Sequence, residues 1–588
     1  MDYKFESPVA VLQRRAEEEP NKLAYVFLAQ GEIESETLTF ADIDERAKRI
    51  ASHLHQDYEP GTRALLLYPT GADFVSGLYG CLYAGVVPIP TNPPRLNRSA
   101  IRLQAILNDS QASLALTTTD FINDLPKRIE QVPELEKLEW LEHGKFSEEP
   151  KSAWQAPEST PQDLAFIQYT SGSTSSPKGV MINNGNIAYD RLAILAARNR
   201  EPVDESVIVT WAPIFHDLGL IAGIIQGPYD NSLSVMMSSV AFLQRPVRWL
   251  QAITKYRGSG SGGPNFAYDL CVNNITEEEC EGLDLSSWKM AFNSAEPVRA
   301  ETHRNFVNKF QPYGFEPESF HPGYGLAEAT LIVSCYGGRK ETITYKTDRA
   351  ALEQGKIMPA ESEENENSQE LISCGPALVD LELAIVNPDT KEKCAADEVG
   401  EIWVKGDSIS PGYWNRPKET KETFQAMIAN SGEGPFMRSG DLGFLYESHL
   451  YVTGRRKDLI IVKGKNYYPQ DVEVTVEKSH EDLQPGGGAA FAIVVDDVEQ
   501  LVVVQEVKRE ARKNFDLKEV SKKIRFAIAR DQGIRAYAVV IIRPYSLPKT
   551  SSGKVMRHAA LEQFLDDELK IVGEWRATQM IKKEKAAR

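Results

Sequence analysis

The sequence lacks a membrane-length apolar run, a cysteine cluster and an excess of basic charge. The nearest thing to a span, Phe74 to Pro90, is short, glycine-rich and broken by Pro88 and Pro90. A spanning helix needs about 20 apolar residues, so this stretch is read as core. The opening Met1-Asp-Tyr-Lys-Phe-Glu6 lacks the basic-then-apolar order of a secretory signal, which argues against export. Six cysteines (Cys81, Cys271, Cys280, Cys335, Cys374, Cys394) are far apart and form no C-x-x-C pair. That excludes a zinc ribbon or a disulfide framework and fits a reducing cytoplasm. A net charge of -18 opposes nonspecific binding to nucleic acid or anionic membrane. No repeat with a period of 20 to 50 residues is visible.

What is present is an ordinary globular composition, 42% hydrophobic and 26% charged, over 588 residues. That is room for about four domain-sized units and a sizeable core. Short apolar runs (Ala64-Leu-Leu-Leu-Tyr68, Leu164-Ala-Phe-Ile-Gln-Tyr169, Val207-Ile-Val-Thr-Trp211) alternate with helical periodicity, as in Phe40 to Leu54, where Ile43, Ala47, Ile50 and Leu54 share a face. This alternation predicts an α/β fold of helix-covered sheets. Charge is uneven: from Leu459 onward the chain carries 23 basic and 19 acidic residues, leaving -22 on the first 458. A domain boundary is placed at about residue 456, giving a large domain over 1–455 and a smaller α+β domain over 456–588, which includes a basic amphipathic helix near Leu517 to Arg530. The polar, acidic tract Met358 to Glu370 has no periodicity and is predicted to be a flexible insertion.

Chemistry concentrates in Tyr169-Thr-Ser-Gly-Ser-Thr-Ser-Ser-Pro-Lys-Gly-Val180, directly after a predicted strand. Glycines let backbone N–H groups approach an anion, hydroxyls add donors and Lys178 adds charge, so a phosphate cradle is physically reasonable. A solvated serine-rich loop is the plain alternative. Pro177 stands where a Walker A loop needs its second glycine, which disfavours an ordinary P-loop. The tract Gly258-Ser-Gly-Ser-Gly-Gly263, with Asp284 about 20 residues on, formally matches a dinucleotide fingerprint. The helix-like Val247 to Tyr256 before it and Pro264 after it argue against an NAD site.

The first of these motifs, followed in order by His321-Pro-Gly-Tyr-Gly-Leu-Ala-Glu-Ala-Thr330, Arg438-Ser-Gly-Asp-Leu-Gly443, Gly454-Arg-Arg-Lys-Asp-Leu-Ile-Ile461 and Pro548-Lys-Thr-Ser-Ser-Gly-Lys554, resembles the adenylate-forming superfamily. Within it, Trp211-Ala-Pro-Ile-Phe-His-Asp-Leu-Gly-Leu220, Arg245 to Leu250, Gly263-Pro-Asn-Phe-Ala-Tyr-Asp269, Asn293-Ser-Ala-Glu-Pro-Val298 and Lys463 to Asp471 resemble fatty acyl-AMP ligases. The family carries an insertion where Gly338 to Ser373 lies here.

The resemblance implies an adenylation domain over 1–455 and a mobile small domain over 456–588. It also implies a two-step reaction: a fatty acid carboxylate attacks the α-phosphate of ATP, then a phosphopantetheine thiol of an acyl carrier protein displaces AMP. Thr170, Ser171, Gly172, Thr174 and Lys178 would hold the β- and γ-phosphates, and Glu328 would hold Mg²⁺. Tyr324, with Gly325, would meet adenine by its face, and Ser294, Ala295 and Glu296 by its edge. Asp441 would take the ribose hydroxyls, assisted by Arg455. Lys554 would bond the carboxylate and α-phosphate, and His216 would line the carboxylate site. Arg456 and Lys457 would form the hinge. The acyl pocket is drawn from Ile214, Leu220, Ile221, Met236, Met237 and Phe266. The insertion would restrain the small domain through its apolar residues Ile343, Tyr345, Leu352 and Ile357. Because 34 residues follow Lys554, a carrier protein is expected in trans. Long-chain acyl-CoA ligase is the nearest alternative, and an inactive adenylate-binding relative a more distant one.

Overall fold

Leucine-, valine- and isoleucine-rich runs of four to seven residues form the buried strands, and the segments between them with helical periodicity lie over the sheets. The computed structural model describes residues 5–93, 101–146, 154–170, 177–198, 206–362, 367–462, 465–495, 498–513, 515–550, 553–577 and 585–586. Ser171, Gly172 and Thr174 fall outside the described residues.

The largest described sheet runs in the order Ser334–Cys335, Phe320–Tyr324, Met290–Asn293, Gly260–Gly263, Val207–Thr210, Leu233–Met237, Leu23–Ala29 and Ile33–Thr39. Its centre is parallel and both edges are antiparallel. A second, parallel sheet joins Val87–Pro90, Arg63–Leu67, Leu114–Thr117 and Glu139–Glu142. An antiparallel sheet (Glu382–Val386, Gly400–Lys405, Met437–Tyr446, His449–Arg455) follows and ends at Arg455.

The apolar face expected on Phe40–Asp57 is realised, with Ile43, Ala47, Ile50 and Leu54 all at most 2% exposed. Burial of each aliphatic side chain contributes about 2 kcal/mol. Thr39 and Asp42 form a capping box at its start. The helix packs on Ala72–Ala84, where Gly80 leaves no room for a Cβ, which would lie 2.5 Å from Ile50 Cγ2. The stretch Phe74 to Pro90 is therefore core, a buried helix followed by the buried strand Val87–Pro90.

The smaller body is a sheet of Ile571–Arg576, Ala536–Ile542, Val498–Val507, Leu483–Val495 and Lys585–Ala586. Pro469–Lys478 and Leu517–Asp531 cover one face and Arg557–Leu565 the other. Among the described residues, no helix is long and apolar enough to cross a membrane.

The tract Met358 to Glu370 is held at both ends: Asp348 N–H donates to Met358 O, Ala360 N–H donates to Lys346 O, and Ser368–Ile372 pairs with Thr344–Asp348. Residues 363–366 of this tract lie outside the described residues. The dinucleotide-like tract is a buried strand whose glycines permit close packing: a Cβ on Gly262 would lie 2.3 Å from Phe292 O, and one on Gly263 would lie 2.6 Å from the Trp211 ring.

Candidate active site

The strand ends of the large domain and one loop of the small domain converge on a cleft. Leu164–Thr170 and Lys178–Asn183 form an antiparallel hairpin with Thr170 opposite Lys178. The segment 412–414 runs beside it: Met181 N–H donates to Gly412 O and Trp414 N–H donates to Gly179 O. That pairing sets the Tyr413 ring 4.7 Å from Lys178 Nζ. The Tyr413 hydroxyl donates to Glu328 Oε1 at 2.8 Å, so one aromatic residue joins the candidate phosphate lysine to the candidate metal carboxylate. Burial and the Glu328 charge push the Tyr413 phenol well above its ordinary range.

Phe320–Tyr324 ends at Gly325, where a Cβ would meet Leu331 O at 1.9 Å, so only glycine lets the chain turn toward Glu328. Tyr324 is 7% exposed and donates to Asp441 Oδ2 at 2.8 Å. Asp441 Oδ1 accepts from Arg455 Nε at 2.8 Å, the two residues being register partners on the last hairpin. Each carboxylate oxygen keeps a second lone pair, so the ribose role remains chemically open to Asp441. The Asp441 charge raises Arg455 above its ordinary value. Arg456 and Lys457 follow in a short 3-10 turn, and Arg456 pairs with Asp389 at 2.7 Å.

The lysine loop of the small domain enters this cleft. Lys549 bridges Val555, Thr550 N–H donates to Lys554 O, and Lys554 N–H donates to Thr550 Oγ1. Burial and Arg455 lower the Lys554 ammonium below its ordinary value, while Asp217, Glu296 and Asp441 act in the opposite direction. The loop exit is anchored by Arg557, which forks onto Glu473 at 2.6 and 2.7 Å and reaches Asp458 at 3.1 Å. His216 Nδ1 lies 2.5 Å from Asp217 Oδ1. Burial opposes ionisation of Asp217, but His216 and Lys554 outweigh it and hold the carboxyl below the usual range. A π-helix, Leu218–Ile225, follows, and Gly219 abuts Pro213 O with no room for a Cβ.

Ser294, Ala295 and Glu296 lie on the loop after Met290–Asn293, with Ala295 at φ +76 and Glu296 Oε1 buried without a partner. Of the candidate acyl residues, Ile214, Leu220, Ile221 and Met236 share one core cluster. Met237 does not: strand side chains alternate, so it points to the other face and joins the cluster around Trp211 and Phe242. Phe266 is only partly buried, and its ring lies 2.6 Å from where a Cβ on Gly553 would sit, beneath the lysine loop. Tyr413 and Asp217 were not anticipated as partners, because their contacts join segments distant in sequence or depend on local turn geometry.

Across the seam between domains, Gln369 donates to Asp471 Oδ2 at 2.9 Å, Lys465 pairs with Glu353 at 2.7 Å, and Arg349 donates to Asp531 O. Tyr345, Leu352 and Ile357 share an apolar cluster with Phe444 and Tyr451 and, beyond residue 456, with Leu459 and Tyr468, while Ile343 is exposed.

Comparison with known proteins fits this geometry. Residues 12–414 match the model for AMP-binding enzymes, and 457–574 match that for the AMP domain of Disco-interacting protein 2-like proteins. The medium-chain fatty acid–acyl-carrier-protein ligase JamA of Moorena producens is 46% identical over 96% of both chains. The putative fatty-acid–CoA ligase FadD21 of Mycobacterium tuberculosis is 34% identical over 95% of this chain and 98% of its own. A fatty acyl-adenylate ligase of L. pneumophila, solved with acyl adenylate and pyrophosphate, superposes with a TM-score of 0.75 at 38% identity, covering 97% of this chain and 98% of that one. The chain belongs to the AMP-binding, adenylate-forming enzymes and, among them, to the fatty acyl-AMP ligases.

Proposed function

We propose that this enzyme activates a medium- or long-chain fatty acid with ATP to fatty acyl-AMP and pyrophosphate, then passes the acyl group to the phosphopantetheine thiol of an acyl carrier protein acting in trans. The observation that carries this reading is the seating of the Lys554 loop in the cleft that also holds Arg455, Asp441 and Asp217. Carboxylate attack on the α-phosphate builds negative charge on oxygens around phosphorus, and fixed cations stabilise it without reorganising. Lys554 supplies that charge, Lys178 and the hydroxyl-rich loop hold the distal phosphates, and Asp441 with Arg455 orients the ribose. The small domain is 456–588, swinging about Arg456 and Lys457 to withdraw Lys554 before the thiol enters.

Glu328 fits a divalent cation. It is a hard oxygen donor engaged at Oε1 by a neutral hydroxyl, and no group of three acidic, histidine or cysteine side chains that could cage a metal occurs among the described residues. That donor set suits Mg²⁺, which takes one carboxylate, water and substrate phosphates. Bound there, it supplies neutralisation of phosphate charge. The free cysteines accord with work in the cytoplasm.

The test offers ATP, Mg²⁺ and fatty acids of graded length, then either CoA or a holo carrier protein, and weighs the products. Acyl-carrier formation with little acyl-CoA is expected. Efficient acyl-CoA formation instead assigns the enzyme to the CoA ligases.

A further inference from the structure

The nucleotide loop is governed by a residue outside it. The strand Gly260–Gly263 pairs in parallel with Met290–Asn293, with Gly263 opposite Asn293. Gly262 has no room for a Cβ, which would lie 2.3 Å from Phe292 O, and the helix Asn265–Asn274 starts just after this strand. Its first residue, Asn265, is fully buried. The amide Nδ2 donates to Pro297 O at 2.9 Å, and Oδ1 accepts from Asn293 Nδ2 at 3.1 Å and from Arg299 N–H at 3.1 Å. One side chain thus binds the beginning, middle and end of the loop.

Asn293 Nδ2 also donates to His303 Nε2 at 3.1 Å. His303 stacks on Phe320 at 3.7 Å between centroids, and burial lowers its pKa to about 3, so the ring is neutral and can accept. Between these anchors the loop holds Ala295 at φ +76, a conformation that L residues adopt only when their surroundings impose it.

We propose that Asn265 is a positioning residue for nucleotide recognition: its amide clamps the loop Ser294–Glu296 in the strained shape that meets the adenine edge. This rests on the reading of that loop as the adenine edge. Asn265 touches no substrate and acts through the loop. Losing its hydrogen bonds leaves buried partners unpaired and lets Ala295 relax.

The experiment measures pyrophosphate release with ATP and with GTP. N265A should raise the KM for ATP about 10-fold or more, lower the ATP-over-GTP preference, and leave the fatty-acid KM unchanged. N265D is isosteric and serves where N265A is too unstable to assay. Protonated, its carboxyl can still donate to Pro297 O; ionised, it cannot. Its ATP KM relative to wild type should therefore improve as pH falls, a pH dependence that a packing defect alone would not produce. A295V, which places a β-branched residue at positive φ, disturbs the loop directly. If A295V alters ATP KM and base preference while both Asn265 variants do not, the clamp is overturned. Should all three leave them unchanged, the loop is not the adenine edge. A uniform loss in every kinetic parameter, with no change in base preference and no pH rescue, reduces Asn265 to a packing role and also overturns the proposal.

Discussion

At the scale of residues, the roles proposed for Lys554 and Glu328 can be separated by substitution. If, as proposed, Lys554 faces the charge that develops in adenylation, K554A should cut pyrophosphate release by about 10² or more with modest loss of ATP binding. Near-wild-type release would remove the lysine from the chemical step. Its lowered ammonium pKa has a kinetic sign: the charged form is needed and is lost as pH rises through the folded value, which lies below the ordinary 10.5. The alkaline limb of kcat/KM for pyrophosphate release should therefore fall before pH 10.5 and should be absent from the residual activity of K554A. Glu328 is tested by its metal. E328Q keeps the bond from Tyr413 but loses the charge, so it should need more Mg²⁺ for half-maximal rate while unfolding at the same temperature. An unchanged Mg²⁺ titration would leave the carboxylate as a partner of Tyr413 alone.

At the scale of elements, the lysine loop depends on a glycine that motif matching treats as spacing. Gly553 sits at φ +88, and a Cβ there would meet the Phe266 ring at 2.6 Å. G553A leaves Lys554 intact but strains the turn and pushes the loop out of the cleft, so adenylation should fall about 10-fold or more while folding is kept. An unaffected rate would mean that the loop seats without touching Phe266. This element also shows what a sequence can disclose. The strand Leu164–Thr170 before the Lys178 motif and the amphipathic Phe40–Asp57 were legible because their signals are local: an apolar run and a period of 3.6. The Asn265 clamp and the Tyr413–Glu328 bond were not, since the partners lie 28 to 34 and 85 residues apart and meet only through sheet register. Met237 was misplaced for the opposite reason. Its composition suited an acyl pocket, yet alternation along Leu233–Met237 turns it to the other face from Met236.

At the scale of the whole molecule, the proposed swing of the small domain would have to break the contacts that the insertion makes with it. The insertion packs its apolar side, Tyr345, Leu352 and Ile357, against Phe444 and Tyr451 and also against Tyr468 beyond residue 456. Its polar side grips the small domain through Gln369 on Asp471, Glu353 on Lys465 and Arg349 on the Asp531 carbonyl. Deleting roughly residues 340–370 would release the grip but also bare the aromatic cluster, confusing release with misfolding. Replacing Arg349, Glu353 and Gln369 together by alanine removes the grip and leaves the apolar seat. Each such contact contributes about 0.5 to 1 kcal/mol, so losing three shifts the balance between placements by roughly 10- to 100-fold. If the insertion biases the hinge at Lys457 against accepting CoA, the triple variant should make more acyl-CoA per acyl-AMP than wild type, with CoA in excess and adenylation retained. A variant that adenylates normally yet gains no acyl-CoA would show that the thiol channel, and not the hinge, rejects CoA. The hinge account also requires that the gain appear without any change in the KM for ATP, because none of the three side chains faces the nucleotide loop.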